Sequence, residues 1–186
     1  MKKTMVSCLI IILFFTVGTV FAGKKAPQKV VDLANSSLTK FGENPVIISA
    51  VKTENAKGKT LAQIKKRDKQ WVSTPGVSDN MKALIGSACG MYLQKVQDSA
   101  PYFAEIFVMD NQGANVAMTD KTSDYWQGDE PKFTKAYNNG SGTIYISDVN
   151  FDDSTQTYLV HVSVPVMDGE KTIGVITLGV DVNKIE

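Results

Sequence analysis

The hydrophobic period changes once along this chain, near residue 102, and that change limits the folds the chain can adopt. Before it, apolar residues recur every three or four positions, which is the spacing of amphipathic helices. After it, apolar residues alternate with polar ones or run continuously over short segments, as strands do. Helices in the first part and strands in the second predict an α+β domain.

Four helices are predicted before residue 101. The first covers residues 27–41, Asn44-Pro45 provides an N-cap and a first-turn Pro for the second, and Thr60-Leu-Ala-Gln63 matches a capping box for the third. Asp79 is expected to cap the fourth, whose apolar residues have helical spacing and predict one buried stripe: Met81, Leu84, Ile85, Ala88, Met91, Tyr92 and Val96.

Five strands are predicted, over residues 102–109, 114–119, 142–151, 155–167 and 172–182. Asp110-Asn-Gln-Gly113 forms the turn of a hairpin between the first two. The joints between the last three strands are too short for a parallel crossover, so they form an antiparallel meander. A loop and a short helix over 130–139 separate the second and third strands.

The N-terminus predicts export. A basic start, an apolar segment and Val20-Phe21-Ala22 describe a signal peptide, residues 1–22, cleaved after Ala22. A retained membrane anchor is the alternative, since the segment is only slightly shorter than the roughly 20 residues that span a bilayer. The expected product is one periplasmic or secreted domain over 23–186, with a helical part over 23–100 and a sheet over 101–186 that includes a pocket loop at 119–140.

Several function classes are disfavoured. Loss of Lys2 and Lys3 takes the formal charge from +1 to −1, so nucleic acid is not an expected partner. The sequence predicts no catalytic residues and no enzyme. It has one His, its Cys89 lies within an apolar stripe, and it contains no Gly-x-Ser-x-Gly or His-Glu-x-x-His motif. No cofactor or metal is expected, because a calcium loop from Asp148 fails at Asp153 and Leu159.

The loop before the short helix concentrates aromatic and charged residues. Tyr125, Trp126 and Phe133 either line a pocket or anchor the loop on the sheet. Asp129 either meets an amine or caps the short helix. Lys132 is a point charge that could hold an anionic group, without the planar fork of Arg.

Polar residues on the strands add further candidates. Tyr145 shares a strand face with Ser147, and Asp148 lies on the opposite face, so which face meets a pocket stays open. His161 is on the polar face of the next strand, opposite Val160 and Val162, and is a ligand candidate or a plain hydrogen-bonded His. Both Tyr145 and Asp148 are retained as candidates.

The order of elements resembles an extracellular Cache domain, the PAS-like PDC sensor of bacterial receptors and kinases. The resemblance rests on three segments: 122–133, Ser163-Val-Pro-Val166 with Asp168-Gly169, and 173–182. It implies a single Cache domain in a stand-alone secreted form, with long N-terminal helices packed on a five-stranded antiparallel PAS-like sheet. Asp181 resembles the amine-binding acid of that family. The family's Arg-x-Trp-Tyr element is not matched, since Glu130-Pro-Lys-Phe133 has no Arg.

The resemblance implies a sensory module that binds a small polar metabolite. Its expected partners are a membrane receptor, a histidine kinase or a cyclase ectodomain. The alternative is a ligand-free interaction protein that docks, or forms a homodimer, through the apolar stripe of its N-terminal helix: Val30, Val31, Leu33 and Leu38.

Overall fold

The computed structural model describes residues 23–185 and contains an antiparallel sheet of six strands. The strands run β2-β1-β6-β5-β3, and β4 also pairs with β5. Their bounds are β1 (Phe103–Met109), β2 (Asn115–Met118), β3 (Tyr145–Ile146), β4 (Asn150–Asp152), β5 (Thr157–Asp168) and β6 (Lys171–Asp181). The predicted α+β class, the hairpin and the terminal meander are confirmed.

Six α-helices accompany the sheet in the described part of the chain. They are α1 (Gln28–Leu33), α2 (Pro45–Asn55), α3 (Leu61–Ser73), α4 (Asp79–Ile85), α5 (Ala88–Gln97) and α6 (Pro131–Tyr137). The Asn44 cap and the capping box at Thr60 are both present, as predicted. The first predicted helix continues past α1 as a π-helical segment over Ala34–Leu38 and a 3₁₀ segment over Thr39–Glu43.

The predicted fourth helix is two helices. Ser78, not Asp79, caps α4, and Ser87 caps α5 by accepting a hydrogen bond from Gly90 N–H at 2.9 Å. The break at Gly86–Ser87 shifts the helical phase, so a single stripe does not continue through both helices. The prediction for Met91 is therefore wrong, because its exposed fraction is 56%.

The predicted third strand is divided by a β-bulge. Ile146 pairs with Val162 and Asn150 with Leu159, so β3 and β4 together carry one residue more than the facing part of β5. At the bulge, Val149 N–H donates to Lys24 O at 2.7 Å and Gly23 N–H donates to Val149 O at 2.9 Å. The start of the described chain is therefore hydrogen-bonded to the segment between β3 and β4.

The sheet separates two hydrophobic cores. On one face, α1, α2 and α5 cover a Val-rich surface that includes Val160, Val162 and Val164, as the alternation along β5 predicted. On the other face, α3, α4, α6 and the 119–130 loop cover Phe107, Met109 and Val175. His161 and Ser163 of β5 point to this second face.

The apolar stripe of the N-terminal helix is used inside the chain. Val30 and Leu38 are fully buried in the first core, and Val31 and Leu33 are partly buried. These side chains are therefore used in the protein's own core, and docking or homodimer formation through this helix stays a prediction. No helix over 23–185 is both long and apolar enough to cross a membrane, and the predicted signal peptide lies outside the described residues.

Two nearby positions on α5 test this packing. Leu93 is fully buried, whereas Met91 on the same helix is exposed. We expect Leu93→Ala to lower the free energy of unfolding by about 2–5 kcal/mol, because it leaves a cavity. Met91→Ala should change it by less than about 0.5 kcal/mol. Urea unfolding of both variants measures the difference, and equal effects would contradict the assigned orientation of α5.

A candidate ligand-binding cleft

A pair of titratable side chains meets across the central strand β6. Glu105 of β1 and His161 of β5 both lie opposite Gly179, and His161 Nε2 is 2.9 Å from Glu105 Oε1. A Cβ at position 179 would lie 2.8 Å from Glu105 Cγ and 3.1 Å from Leu159 Cδ1. The absence of a side chain at Gly179 therefore leaves the room in which Glu105 and His161 meet.

A second acidic side chain, that of Asp152, approaches this pair from the last residue of β4. Asp152 Oδ1 accepts hydrogen bonds from the backbone N–H and hydroxyl groups of both Ser154 and Thr155, at 2.6–3.1 Å. Burial alone would raise the pKa of Asp152, but these hydrogen bonds outweigh it and the pKa lies below its ordinary value. Asp152 is therefore a carboxylate held in one orientation.

A cleft of about 380 Å³ opens beside these residues, between α6 and the bulged edge of the sheet. Most of its lining residues have polar side chains, and most of them come from the start of α6, from β3 and β4 and from the turn that follows β4. The lining residues are Ser123, Glu130, Pro131, Lys132, Tyr145, Ser147, Asn150, Phe151, Asp152, Asp153, Ser154 and His161.

Acidic groups outnumber basic ones in the cleft. Glu130, Asp152 and Asp153 line it, and Glu105 stands behind His161. Lys132 contributes the lysine side chain of the cleft lining. This side chain is 15% exposed, and its Nζ lies 3.0 Å from Glu130 Oε2. The cleft is therefore suited to a ligand that carries a positive group.

The structure brings three of the nine predicted site residues together here: Lys132, Tyr145 and His161. Tyr145 of β3 pairs with Ser163, and Ser147, directly after β3, donates its N–H to His161 O, so Tyr145 and Ser147 line the cleft beside His161. The strand face that meets the cleft, which the sequence left open, is the polar face of β5.

Two of the predicted aromatic residues lie in the second core. Tyr125 is fully buried, and its hydroxyl accepts hydrogen bonds from Lys59 Nζ at 2.8 Å and from Arg67 Nη1 at 3.4 Å. Phe133 is buried and stacks on Tyr137, with ring centroids 5.1 Å apart. Both residues anchor the loop and α6 on the sheet. Of the two roles that the sequence left open for these aromatic residues, pocket lining or loop anchoring, this is the second.

The Lys59 contact to Tyr125 belongs to a small ion-pair network. Lys59 Nζ lies 2.7 Å from Glu54 Oε1 and 3.5 Å from Asp110 Oδ2. Burial alone would lower the pKa of Lys59, but its bonds with Glu54 and Tyr125 outweigh it and the pKa is raised. Lys59 is therefore a charged anchor that ties the α2–α3 connection to the loop.

Four predicted site residues lie elsewhere. Trp126 donates from Nε1 to Gln112 O at 2.8 Å and, with the exposed Asp129, lines a separate outer cleft against α3. Asp148 pairs with Lys25 at 3.0 Å, away from the cleft, because the bulge turns it outward. Asp181 is buried and accepts from Asn183 N–H at 2.9 Å, in a neighbouring cleft that also contains Glu105. Glu130 is the N-cap residue of α6, so the prediction that Asp129 caps this helix is wrong.

Glu105 and Asp152 were not identified from the sequence as site residues. Glu105 is an acid in the otherwise apolar run Phe103-Ala-Glu-Ile-Phe-Val-Met109, and a buried acid needs a partner. The single His of the chain, on the polar face of β5, is a chemically suitable partner. Asp152 was considered only as part of a calcium loop, since its proximity to His161 depends on the bulge.

A known sensor family matches the whole sheet half of the chain together with α4 and α5. The family described as "Methyl-accepting chemotaxis protein-like, first PDC sensor domain" matches residues 77–186. The chain belongs to this family. The PDC sensor match includes every residue of the cleft, whereas α1, α2 and α3 lie before it.

The chain is also similar to the sensor domains of several solved structures. The sensor domain of the V. cholerae histidine kinase DctB is similar with a TM-score of 0.50 and 14% identity, over 85% of this chain and 52% of that one. The ligand-binding domain of the Campylobacter jejuni chemoreceptor Tlp3, in complex with 4-methylisoleucine, has a TM-score of 0.43 and 14% identity, over 85% of this chain and 60% of that one. The E. coli DcuS sensor domain has a TM-score of 0.42 and 18% identity, over 64% of this chain and 90% of that one.

The chain thus spans about half the length of the DctB sensor domain and 60% of the Tlp3 domain. Among curated proteins, none matches the sequence.

The geometry at Gly179 predicts an energetic coupling in the PDC sheet. We expect Gly179→Ala to lower the free energy of unfolding by about 1–3 kcal/mol, because the new Cβ overlaps Glu105 Cγ. Glu105→Ala removes that atom, so the double variant should be less destabilised than the sum of the single variants. A double-mutant cycle by urea unfolding measures this coupling, and additive effects would contradict the close approach.

Proposed function

We propose that this protein is a periplasmic or secreted sensory module that binds a small polar metabolite and reports through a partner protein in signal transduction. The observation that carries the proposal is the polar cleft between α6 and the bulged sheet edge, within a PDC sensor domain. Binding sites are concave and need a few polar groups to orient a ligand. Lys132, Tyr145, Asp152 and His161 are the groups proposed for this task.

The charges of the cleft restrict the chemical class of the metabolite. Three carboxylates line it, and its Lys is already paired with Glu130. A ligand with an amine or another cationic group would offset the acidic excess, and a carboxylate on the same ligand could compete with Glu130 for Lys132. We therefore propose an amine-bearing metabolite, a class that includes amino acids.

The cleft wall provides a route for a signal. β4 and the bulge form one side of the cleft, and the same segment bonds to Gly23 and Lys24 through Val149 and to Lys25 through Asp148. A ligand that binds one arrangement of this edge more tightly will shift the population toward it. The surface around residues 23–25 is then the proposed site of change, next to the predicted signal peptide or anchor.

The proposed partner is a membrane receptor, a histidine kinase or a cyclase ectodomain, and no catalytic role is proposed for this chain. Within residues 23–185 the free cysteine is Cys89, which is buried. Burial raises the pKa of its thiol to about 12. Such a thiol is a poor nucleophile at neutral pH. The interaction-protein alternative is not favoured, because the stripe on which it depends is buried.

A thermal-shift screen tests this function directly. The full chain, with mild detergent where residues 1–22 are retained, is screened against amino acids, amines and carboxylates in buffer containing EDTA. At a hundredfold excess over its Kd, a ligand adds about 2.7 kcal/mol, which gives a clear rise in Tm. We expect an amine-bearing compound to stabilise the protein and simple carboxylates to have no effect.

Matched acidic variants locate the site of any compound that binds. We expect Asp152→Asn and Lys132→Met each to weaken binding about tenfold or more, which corresponds to about 1.4 kcal/mol. Asp148→Asn removes an acid close in sequence but outside the cleft, and it should bind as the unaltered chain does. Equal affinity in all three variants would place the binding site elsewhere, and no stabilising compound would contradict the sensory proposal.

A further inference from the structure

Three side chains from distant segments converge at the inner end of the cleft. One ligand atom each of Glu105, Asp152 and His161 lies within 4.8 Å of the other two. Asp152 and His161 come from the paired neighbouring strands β4 and β5, and Glu105 comes from β1 on the other side of β6, so the sheet topology brings the three together. Within residues 23–185 no other group of three or more such side chains is as close.

The donor set fits a divalent transition metal ion. It offers one imidazole nitrogen and two carboxylate oxygens, which are ligands that Zn²⁺ and its first-row neighbours accept. Ca²⁺ and Mg²⁺ are bound through oxygen and would make no use of the imidazole. Three protein ligands would leave at least one coordination position open toward the cleft, where water or a ligand atom could bind.

The surroundings hold these donors in position. The hydrogen bonds to Asp152 all fall on Oδ1, so in the described chain Oδ2 is not used by them and is available as a ligand atom. The Glu105 and His161 side chains are only 9% and 15% exposed, so both are restricted by their neighbours. Gly179 between them leaves room for the approach of both side chains. Outer contacts of this kind orient metal ligands and raise affinity by factors of ten to a hundred.

We propose that Glu105, Asp152 and His161 bind one divalent transition metal ion, with Zn²⁺ as the representative. In the bound form the ion takes the place of the hydrogen bond between His161 Nε2 and Glu105 Oε1, and the neutral imidazole carries its proton on Nδ1. The inference goes beyond the sensory function and stands whether or not an organic metabolite binds. The sequence predicted no metal, because its metal motifs are local whereas this site is assembled across the sheet.

Isothermal titration with Zn²⁺ tests the site. The full chain carries Cys8→Ser, because a free thiol binds zinc, and has no histidine tag. We expect one Zn²⁺ per chain, and no displacement by millimolar Ca²⁺ or Mg²⁺. Co²⁺ in place of Zn²⁺ should give visible absorption bands that report coordination by the protein.

Variants separate this site from adventitious binding. We expect His161→Gln to weaken Zn²⁺ binding at least a hundredfold, and Glu105→Gln and Asp152→Asn at least tenfold each. Asp148→Asn removes a nearby acid that lies outside the cleft and should leave affinity unchanged. Circular dichroism and the metal-free Tm verify that each variant is folded.

Three outcomes would overturn the metal proposal: no Zn²⁺ binding by the folded chain, equal weakening by Asp148→Asn and Asp152→Asn, or binding unaffected by His161→Gln. These outcomes are independent of the metabolite screen, which is performed in EDTA. Zn²⁺ binding without a stabilising compound would contradict only the metabolite proposal, and the converse result would contradict only the metal proposal.

Discussion

The structure depends on the antiparallel pairing of β5 with β6, two long strands covered on both faces. One side of this pair is a surface of Val, Ile and Leu side chains beneath the N-terminal helices. The other carries polar groups, including Ser163 and Thr177, whose hydroxyl oxygens lie 2.9 Å apart and are fully buried. Buried polar groups require hydrogen-bond partners. The polar side chains on this face therefore determine which side chains of the neighbouring strands must lie beside them.

The cleft follows from that polar face. Because β6 has Gly at position 179, side chains from the strands on either side of it reach each other across the sheet, and Glu105 meets His161. The β-bulge then brings the Asp152 turn toward the same point. The first core provides stability, whereas the second face, with its polar pairs and open edge, provides the chemistry.

The parts of the fold that rest on local rules could be predicted from the sequence. Helix caps at Asn44 and Thr60, the hairpin turn and the alternation along β5 are set by neighbouring residues, and all were confirmed. The bulge and the Glu105–His161 contact depend on pairing between distant segments, which no local pattern encodes. The aromatic loop was assigned correctly to a covering position, but Tyr125 is buried in the second core.

The single His of the chain gives the most direct test of the cleft as the binding site, because its imidazole C–H signals are unambiguous in a proton NMR spectrum. The chain is titrated in EDTA with the compound that stabilises it in the thermal screen. We predict that the His161 signals shift progressively and saturate as the compound is added, and that Asp148→Asn leaves the shift unchanged. Saturating binding with no change in the His161 signals would contradict the assignment of the cleft as the site of sensing.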